Sequence, residues 1–367
     1  MTFLVVKNMA TSTSIDDEWD NFMSSSNCDD LEEAGFDGEI VSNNIANEMC
    51  PKASPIYIST KTNIAFLNKT VDLKTIFWKI PVINYSHPIT GVVKKQMKMN
   101  SLFPEELEEI QEKLKGEVHV EQNIITSINN PAGRIKFKDI RKVGVGICRK
   151  DLVSYRCKKK SAFYNCFVLI LRVKMEGLFR EFHVKVFNTG KLEIPGIQTN
   201  KAFDEILNTV ISILEPHMLE SEVKLVCKEG SVDTVLINSN FNCGFYINRE
   251  SLFEILKFKY NIQCIYDPCS YPGIQCKFYY NNATGLKTEA ADNSGDISTV
   301  SFMVFRTGSV LIVGKCDENV LYVIYEYLKD LLIKEFSSIM LKLTDANVVK
   351  EKNKKVRRKQ IIVEYEN

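Results

Sequence analysis

Alternating hydrophobic and polar positions occur twice in the chain in the same order. The first copy spans residues 184–196 and the second spans residues 302–314, an offset of 118 residues (305 − 187) between the matching phenylalanines. Each copy reads as an alternating strand, a tight turn at Thr-Gly and a second strand that ends on Gly. This arrangement predicts two β-hairpins.

Apolar residues at helical spacing follow both hairpins, and they predict one long amphipathic helix in each half of the chain. After the first hairpin they are Phe203, Ile206, Leu207, Val210, Ile211 and Leu214. After the second they are Leu321, Ile324, Leu328, Leu331 and Leu332. The chain therefore contains a duplicated unit, and a functional interpretation has to explain the duplication.

The remaining patterns complete the two halves. We predict strands over 56–67, 163–173, 234–246 and 271–280, and helices over 71–78, 101–114, 249–257 and 317–336, with a polar loop over 281–299. Each half then reads strand, short helix, three strands, long helix. This order predicts an α+β fold in which an antiparallel sheet carries the two long helices on one face and leaves the other face free to bind a ligand.

The same patterns divide the chain into segments. We predict a first repeat over 51–227 with a long insertion at about 80–160, and a second repeat over 228–345. An acidic tail over 1–50 and a basic tail over 346–367 flank them. The run 354–359 is basic, which suits nuclear import or nucleic-acid binding, although a solvated charged tail has the same composition.

The distribution of charge along the chain indicates what kind of ligand the protein binds. Residues 1–50 hold eleven acidic residues and one basic residue, Lys7, which gives −10; because the whole chain is +1, the rest is +11. We expect an acidic disordered tail and a basic body that favours a polyanionic partner such as nucleic acid, although solvated surface charge gives the same count. No apolar run is long enough to span a bilayer and no signal-peptide layout is present, so we expect an intracellular protein.

Candidate catalytic chemistry is sparse. The eleven cysteines form no CxxC pair, and Cys264, Cys269 and Cys276 are the nearest group; we expect reduced thiols rather than zinc ligands or disulfides. The four histidines lack metal spacing, and no phosphate loop or GxSxG motif occurs. His183 and Cys166 only imitate a catalytic pair. We therefore expect no enzyme, no cofactor, no metal, no membrane and no small-molecule substrate.

Short motifs in this order resemble the TATA-box-binding protein family. The stretch 70–76 resembles the start of that family's first-repeat helix, Tyr271-Pro272-Gly273-Ile274 is similar to its Phe-Pro-Gly-Leu, and both Phe-x-Thr-Gly hairpins resemble its hairpin turns. The resemblance covers about 55–80 and 160–336. It implies a saddle of two pseudo-symmetric repeats, with a curved antiparallel sheet and two long helices on the convex face. The divergence and the insertion resemble the versions found in large DNA viruses.

The resemblance also implies a mechanism. This family is the standard example of proteins that grip the minor groove with a concave sheet and wedge aromatic rings between base steps, so the mechanism comes from the likeness alone. By position, Phe187 and Phe305 are the hairpin wedges, Tyr271 is a third, and Phe163 is the best candidate for the fourth. Asn240 and Asn238 correspond to a central amide donor for minor-groove acceptors, and Thr60 is its counterpart in the first repeat.

Strand alternation supports part of this assignment. Lys185 shares a face with Phe187, and Met303 shares one with Phe305, so with helices on the opposite face we expect these aromatics to be exposed. Ordinary core phenylalanines are the alternative. Basic residues near them suit a ligand that is both stacked and anionic; they are Lys191, Lys277 and Arg306. Glu193, Pro195 and Val313 differ from the family pattern in the closing strands.

We therefore expect a DNA-binding general initiation factor whose partners are double-stranded A·T-rich DNA, a general initiation factor (TFIIB-like) and the RNA polymerase machinery. Its location would be the nucleus or a cytoplasmic viral factory, with packaging in the virion as a further option. Alternatives are a protein-interaction module that kept the fold and a single-stranded nucleic-acid binder. The aromatic and acidic segment 15–23 suits a partner groove, or it could lie on the basic saddle as a DNA mimic.

Overall fold

The structure, a computed structural model, describes residues 49–153, 165–218, 223–288 and 297–341. The chain divides into two compact units, which we call the first and second unit. Described residues of the first unit are 61–153, 165–218 and 223–234; those of the second are 49–60, 235–288 and 297–341. Residues 1–48 of the predicted acidic tail, Phe163 and the predicted basic tail over 346–367 lie outside the described residues.

Both halves of the chain follow the predicted order of strand, short helix, three-strand meander and long helix, with additions. The first half contains β1 (Tyr57–Phe66), α1 (Leu73–Lys79), β2 (Gly91–Ser101), α2 (Pro104–Lys115), β3 (Val120–Asn129), β4 (Phe137–Gly146), α3 (Arg149–Val153), β5 (Cys166–Met175), β6 (Leu178–Phe187), β7 (Lys191–Ile197), α4 (Asn200–Leu214) and a 3-10 turn, Glu215–His217.

The second half begins with a strand that matches β1 in its place in this order. It contains β8 (Asp233–Asn242), α5 (Arg249–Glu254), a π-helical turn (Ile255–Lys259), β9 (Cys264–Ile265), β10 (Ile274–Asn281), β11 (Leu286–Thr288), β12 (Ile297–Val304), β13 (Ser309–Gly314), α6 (Glu318–Lys334) and α7 (Phe336–Ile339).

In the first unit, seven antiparallel strands run in the order β1-β7-β6-β5-β2-β4-β3. Thr199 is the N-cap of helix α4, and its hydroxyl accepts a hydrogen bond from the Ala202 amide at 3.2 Å. Its apolar stripe, including Phe203 and Ile206, shares one core with Val186 of β6. The helix therefore covers one face of the strands of the first repeat.

In the second unit the order is β11-β10-β12-β13-β8, and β9 pairs with β10. Helix α6 buries Ile324 and Leu328 in one core with Phe302 and Ile312 of the sheet. Met303, next to Phe302 in β12, belongs to a separate cluster because side chains alternate between the two faces of a strand. The long helix thus covers one face of this sheet, and we call the other the helix-free face.

The insertion contains more structure than the sequence predicts. Besides helix α2 it forms β2, β3 and β4, which continue the sheet beyond β5. The strand pattern of β2 is not visible in the sequence because two lysines occupy buried positions. The Lys95 ammonium, 1% exposed, donates to the Ile80 carbonyl oxygen at 2.9 Å and to Glu117 at 3.1 Å. Lys94 donates to Asp151 at 2.9 Å and to Glu121 at 3.2 Å.

Three smaller predictions need correction. Tyr271 lies in the loop before β10 rather than in a strand, because the turn at Ser270 and the Pro272-Gly273 pair delay the start of the ladder to Ile274. The expected loop 281–299 contains β11 and the first residues of β12. The helix expected over 249–257 is α5 followed by the π-helical turn. Among the helices that are described, none has the length and apolar character to cross a membrane.

Candidate nucleic-acid interface

The Thr-Gly turns position the two hairpin phenylalanines. Gly190 and Gly308 both have φ of +81° and donate a backbone hydrogen bond to the carbonyl oxygens of Phe187 and Phe305, each at 3.0 Å. A Cβ at either glycine would lie 2.3 Å from a backbone oxygen. Only glycine fits both the backbone conformation and the space. Each turn therefore sets an aromatic side chain at the end of the first hairpin strand.

Two predicted wedges are in contact on the helix-free face of the second unit. The rings of Tyr271 and Phe305 meet edge to face with centroids 5.9 Å apart. Both are half-buried on a cluster formed by Met303, Leu311 and Val313. They are less exposed than the sequence predicts, because the apolar residues beneath them fill the pleat. Met303 is only 2% exposed, so it supports the rings and is covered by its neighbours.

The Pro-Gly motif explains how the rings come so close. A Cβ on Gly273 would lie 3.1 Å from ring carbons of both Tyr271 and Phe305, which is tighter than ordinary van der Waals contact. The loop around it is held by two backbone contacts: the Tyr271 amide donates to the Asp267 carbonyl oxygen at 2.9 Å, and the Arg249 guanidinium donates to the Pro272 carbonyl oxygen. The aromatic pair therefore stands on an ordered base.

Amide side chains of β8 line the same face. Cross-strand register pairs Asn240 with Leu311 and Asn238 with Val313. Asn240 is half-buried, whereas Asn238 is 1% exposed and its Nδ2 donates to Thr60 Oγ1 at 3.1 Å. The Oδ1 atom of Asn238 is buried and has no hydrogen-bond partner among the described residues. The structure thus brings Asn238 and Thr60 together beside the apolar cluster.

The first unit places an ion pair on the corresponding face. Lys185 and Glu193 are directly opposite in the hairpin, and the Lys185 Nζ lies 2.6 Å from a Glu193 carboxylate oxygen. Both side chains are about four-fifths buried, with 20% and 21% exposed. The Glu193 carboxylate, which departs from the family pattern, and Lys185, which the sequence places in the DNA contact, therefore neutralise each other. Hairpin register, counted outward from the Thr-Gly turn, could have revealed this pair in the sequence.

The other predicted contacts are spread over both units. In the first, Phe187 is half-buried and the Lys191 ammonium lies 5.3 Å from its ring centroid. In the second, Lys277 is half-buried in β10 and Arg306 is exposed in the turn after Phe305.

Part of the helix-free face of the first unit is covered by the insertion, which the sequence did not predict. Ile170 of β5 points away from the α4 core and packs with Val93 and Cys148 under Ile83 and Tyr85. The Arg172 guanidinium fixes this cover by donating to the carbonyl oxygens of Tyr85 and His87, both at 2.8 Å.

The histidine and the cysteine that imitate a catalytic pair lie in adjacent strands at different positions of the register. His183 lies opposite Ile170, and Cys166 lies opposite Phe187. Burial raises the pKa of the Cys166 thiol to about 11, which keeps it protonated at neutral pH. Within the described ranges, no group of three or more His, Cys, Asp or Glu side chains could hold a metal ion.

Comparison with known proteins places these features in context. No protein-family model matches the chain. Over 212 residues the chain is 24% identical to a "TATA-box-binding protein-like" protein of Acanthamoeba polyphaga mimivirus, and the match covers 54% of this chain and 57% of the relative. The solved structure of Methanococcus jannaschii TBP aligns with 77% of this chain and 99% of that chain, at 12% identity and a TM-score of 0.37. The similarity to the mimivirus protein confirms the resemblance that the sequence motifs indicated, and it spans only about half of each of the two chains.

Proposed function

We propose that this protein is a general transcription initiation factor that binds A·T-rich duplex DNA in the minor groove. The observation that carries the proposal is the pair of Tyr271 and Phe305, half-buried on a packed apolar cluster on a sheet face that its long helix leaves open. Stacking of these rings against bases can offset the few kcal/mol that unstacking a base step costs.

The asparagines supply the hydrogen-bonding chemistry that this groove requires. A·T pairs present only acceptors in the minor groove. A hydroxyl both donates and accepts, so Thr60 can bond Asn238 in either orientation of its amide. If the Asn238 side-chain amide is rotated by 180°, the Thr60 hydroxyl donates to Asn238 Oδ1. The Asn238 Nδ2 then takes the buried position that has no partner among the described residues. Because that position is buried, a base-edge acceptor reaches it only after the covering side chains move, whereas the half-buried Asn240 already offers an amide donor on the same face.

Phosphate contacts belong to the three remaining basic side chains. Arg306 is exposed beside Phe305, Lys191 lies over the Phe187 ring, and Lys277 is on the helix-free side of β10. Such contacts position a protein on DNA without reading its sequence. Lys185 is a weaker candidate because Glu193 neutralises it.

The finer parts of the proposal follow from the family likeness. They are a saddle that combines the two repeats, a TFIIB-like initiation factor and RNA polymerase as partners, no chemistry of its own, and action in the nucleus or a viral factory. The name of the mimivirus relative supports this choice of ligand.

A mobility-shift and bending assay on an A·T-rich duplex tests the proposal. We compare the wild type with the double variant Phe187→Ala, Phe305→Ala. Base–aromatic stacking contributes about 1 to 3 kcal/mol per base, so removal of two rings should weaken binding at least about tenfold and reduce the bend. The matched control is Phe179→Ala with Tyr322→Ala, which removes two exposed aromatics that lie outside the site. Equal binding by the double variant and the wild type would remove the wedge mechanism, and a preference for single strands would favour the single-strand binder.

A second candidate is a protein-interaction module that kept the fold and no longer bends DNA. Two observations favour it: the Lys185–Glu193 pair removes a positive charge from the first unit, and segment 83–87 covers part of its helix-free face. If the wild type binds neither duplex nor single strands at low salt, while the fold is intact by circular dichroism, this candidate replaces the first.

A further inference from the structure

Two cysteines face each other at the base of the loop that carries Tyr271. Cys264 of β9 is paired with Cys276 of β10 in an antiparallel ladder. The neighbouring Lys277 amide donates to the Gln263 carbonyl oxygen at 2.9 Å, so the cysteines occupy the next, non-hydrogen-bonded position. At such positions the Cα atoms are about 4.5 Å apart, which lies within the range of about 4.4–6.8 Å found for disulfides.

The surroundings give the two thiols different reactivity. Cys276 is 1% exposed in the core of the second unit, and burial raises its pKa well above the ordinary value. Cys264 is half-buried, and a hydrogen bond from Cys276, together with the nearby Lys257 charge, lowers its pKa. Cys264 is therefore the accessible nucleophile, and Cys276 is the thiol that can displace a group from it.

The chain between these cysteines contains the candidate binding loop. It includes Tyr271 and Gly273, which place one ring of the aromatic pair against Phe305. For this ring to enter a base step, it has to move off the apolar cluster of Met303, Leu311 and Val313. A covalent link between β9 and β10 would close the loop at its base and restrict that motion.

We propose that Cys264 and Cys276 form a reversible disulfide that closes the loop carrying Tyr271 and weakens DNA binding. The regulatory part of this inference rests on the proposed function, whereas the disulfide itself does not.

The oxidant is a small-molecule disulfide such as oxidised glutathione. The Cys264 thiolate attacks one sulfur, forming a mixed disulfide and releasing one glutathione thiolate. Cys276 then attacks the Cys264 sulfur, forming the protein disulfide and releasing the second glutathione. The two protein thiol protons pass to the two released thiolates, so two protein thiols are oxidised and one glutathione disulfide is reduced.

The full chain is treated with oxidised glutathione, and its thiols are alkylated and mapped by mass spectrometry. We expect a species lighter by two hydrogen atoms in which Cys264 and Cys276 are linked and protected from alkylation. Cys264→Ser and Cys276→Ser should each abolish it. Cys269→Ser removes the exposed cysteine of the same loop and should leave it unchanged. Free thiols at both positions, or a link through Cys269, would overturn the proposal.

Two further measurements separate the disulfide from its effect. Amide hydrogen exchange of residues 266–273 should slow on oxidation and recover with reductant. Affinity for an A·T-rich duplex should fall about fivefold, the low end of typical coupling between sites. If the disulfide forms but loop exchange and affinity stay the same, the regulatory role is refuted. If neither the oxidised nor the reduced form binds DNA, the proposed function fails. Thiol mapping and amide hydrogen exchange then still show whether the disulfide forms and restricts the loop.

Discussion

At residue 193 a carboxylate stands on a face that we propose to meet phosphates, and Lys185 neutralises it from the opposite strand at 2.6 Å. The matching position of the second hairpin is Leu311, which is paired with Met303. At this cross-strand position the first repeat therefore has an ion pair, whereas the second repeat has apolar residues that support two aromatic rings. The two repeats are alike in fold and different in the chemistry of this face.

Replacing this carboxylate tests what the pair does. Glu193→Gln removes one negative charge and breaks the ion pair with Lys185, so DNA affinity should rise several-fold at low salt. If Lys185 gains a phosphate contact, the slope of log affinity against log salt should steepen by about 0.9. Glu205→Gln on α4 removes the same charge from the helix side and serves as the control. An equal rise in both variants would assign the effect to net charge alone.

A second residue-scale prediction concerns Glu335, which follows α6. Its carboxylate, 5% exposed, accepts hydrogen bonds from Lys259 at 2.7 Å and from the Tyr260 hydroxyl at 2.6 Å. These bonds lower the pKa of Glu335. A lowered pKa in the folded state stabilises the protein above the unfolded value of about 4.3, and this stabilisation is lost as the pH falls through the folded value.

Glu335→Gln should therefore lower the free energy of unfolding at neutral pH by about 1 to 2 kcal/mol, a value reduced by the solvent exposure of Lys259. The difference from the wild type should shrink below about pH 4. Urea titrations at neutral pH and pH 3.5 measure both. Glu326→Gln, which removes an exposed helical pair, should change stability little at either pH. A pH-independent loss would contradict the linkage.

At the scale of elements, the strands and helices that have a clear hydrophobic periodicity are the ones that the sequence predicts. The hairpins, both long helices and the Asp72-capped helix α1 are present where the patterns place them. The strands of the insertion were missed because Lys94 and Lys95 are polar residues at buried positions, satisfied by partners far along the chain. The hydrophobic pattern of a segment gives no information about hydrogen-bond partners elsewhere in the chain.

The candidate site shows the same division. Motifs indicated Phe187, Tyr271 and Phe305, because glycine turns mark the positions of these rings. Burial of Met303, the Asn238–Thr60 bond and the cover over Ile170 depend on packing across strands, which spacing alone does not reveal.

The hairpin turn offers a prediction at this scale. Gly190→Ala should cost about 1 to 2 kcal/mol for the left-handed backbone, plus the clash with the Lys69 carbonyl oxygen 2.3 Å away. Gly177→Ala is the matched control, because Gly177 has φ of +82° and nothing within 4 Å of the new Cβ. Chemical denaturation of both variants separates backbone strain from the clash. Equal losses would show that the turn relaxes to admit the methyl group.

For the whole molecule, charge is divided unevenly along the chain. Residues 1–50 carry −10 and the remainder +11, from a total of +1. Acidic residues tethered to a basic protein compete with DNA phosphates for the same lysine and arginine side chains. This competition weakens at high salt, because salt screens the attraction between the charges.

Deletion of residues 1–48 should therefore raise the affinity for duplex DNA several-fold at low ionic strength, with little effect near 1 M salt, where the Debye length is about 3 Å. The control is a full-length chain in which the acidic residues of this segment are changed to Asn or Gln. It should behave like the deletion if charge is the cause. Unchanged affinity at low salt in both proteins would exclude competition by the segment.

Strand β5 shows what the insertion has done to the first repeat. It is paired with β6 on one side and with β2 on the other, and nearly all of its side chains are buried. Without the insertion, β5 would be an outer strand, and its row of unpaired amides would lie beside a nearly continuous apolar surface. Removal of the whole insertion would therefore uncover a large apolar surface, whereas removal of β3 alone, whose side chains are mostly exposed, would uncover little.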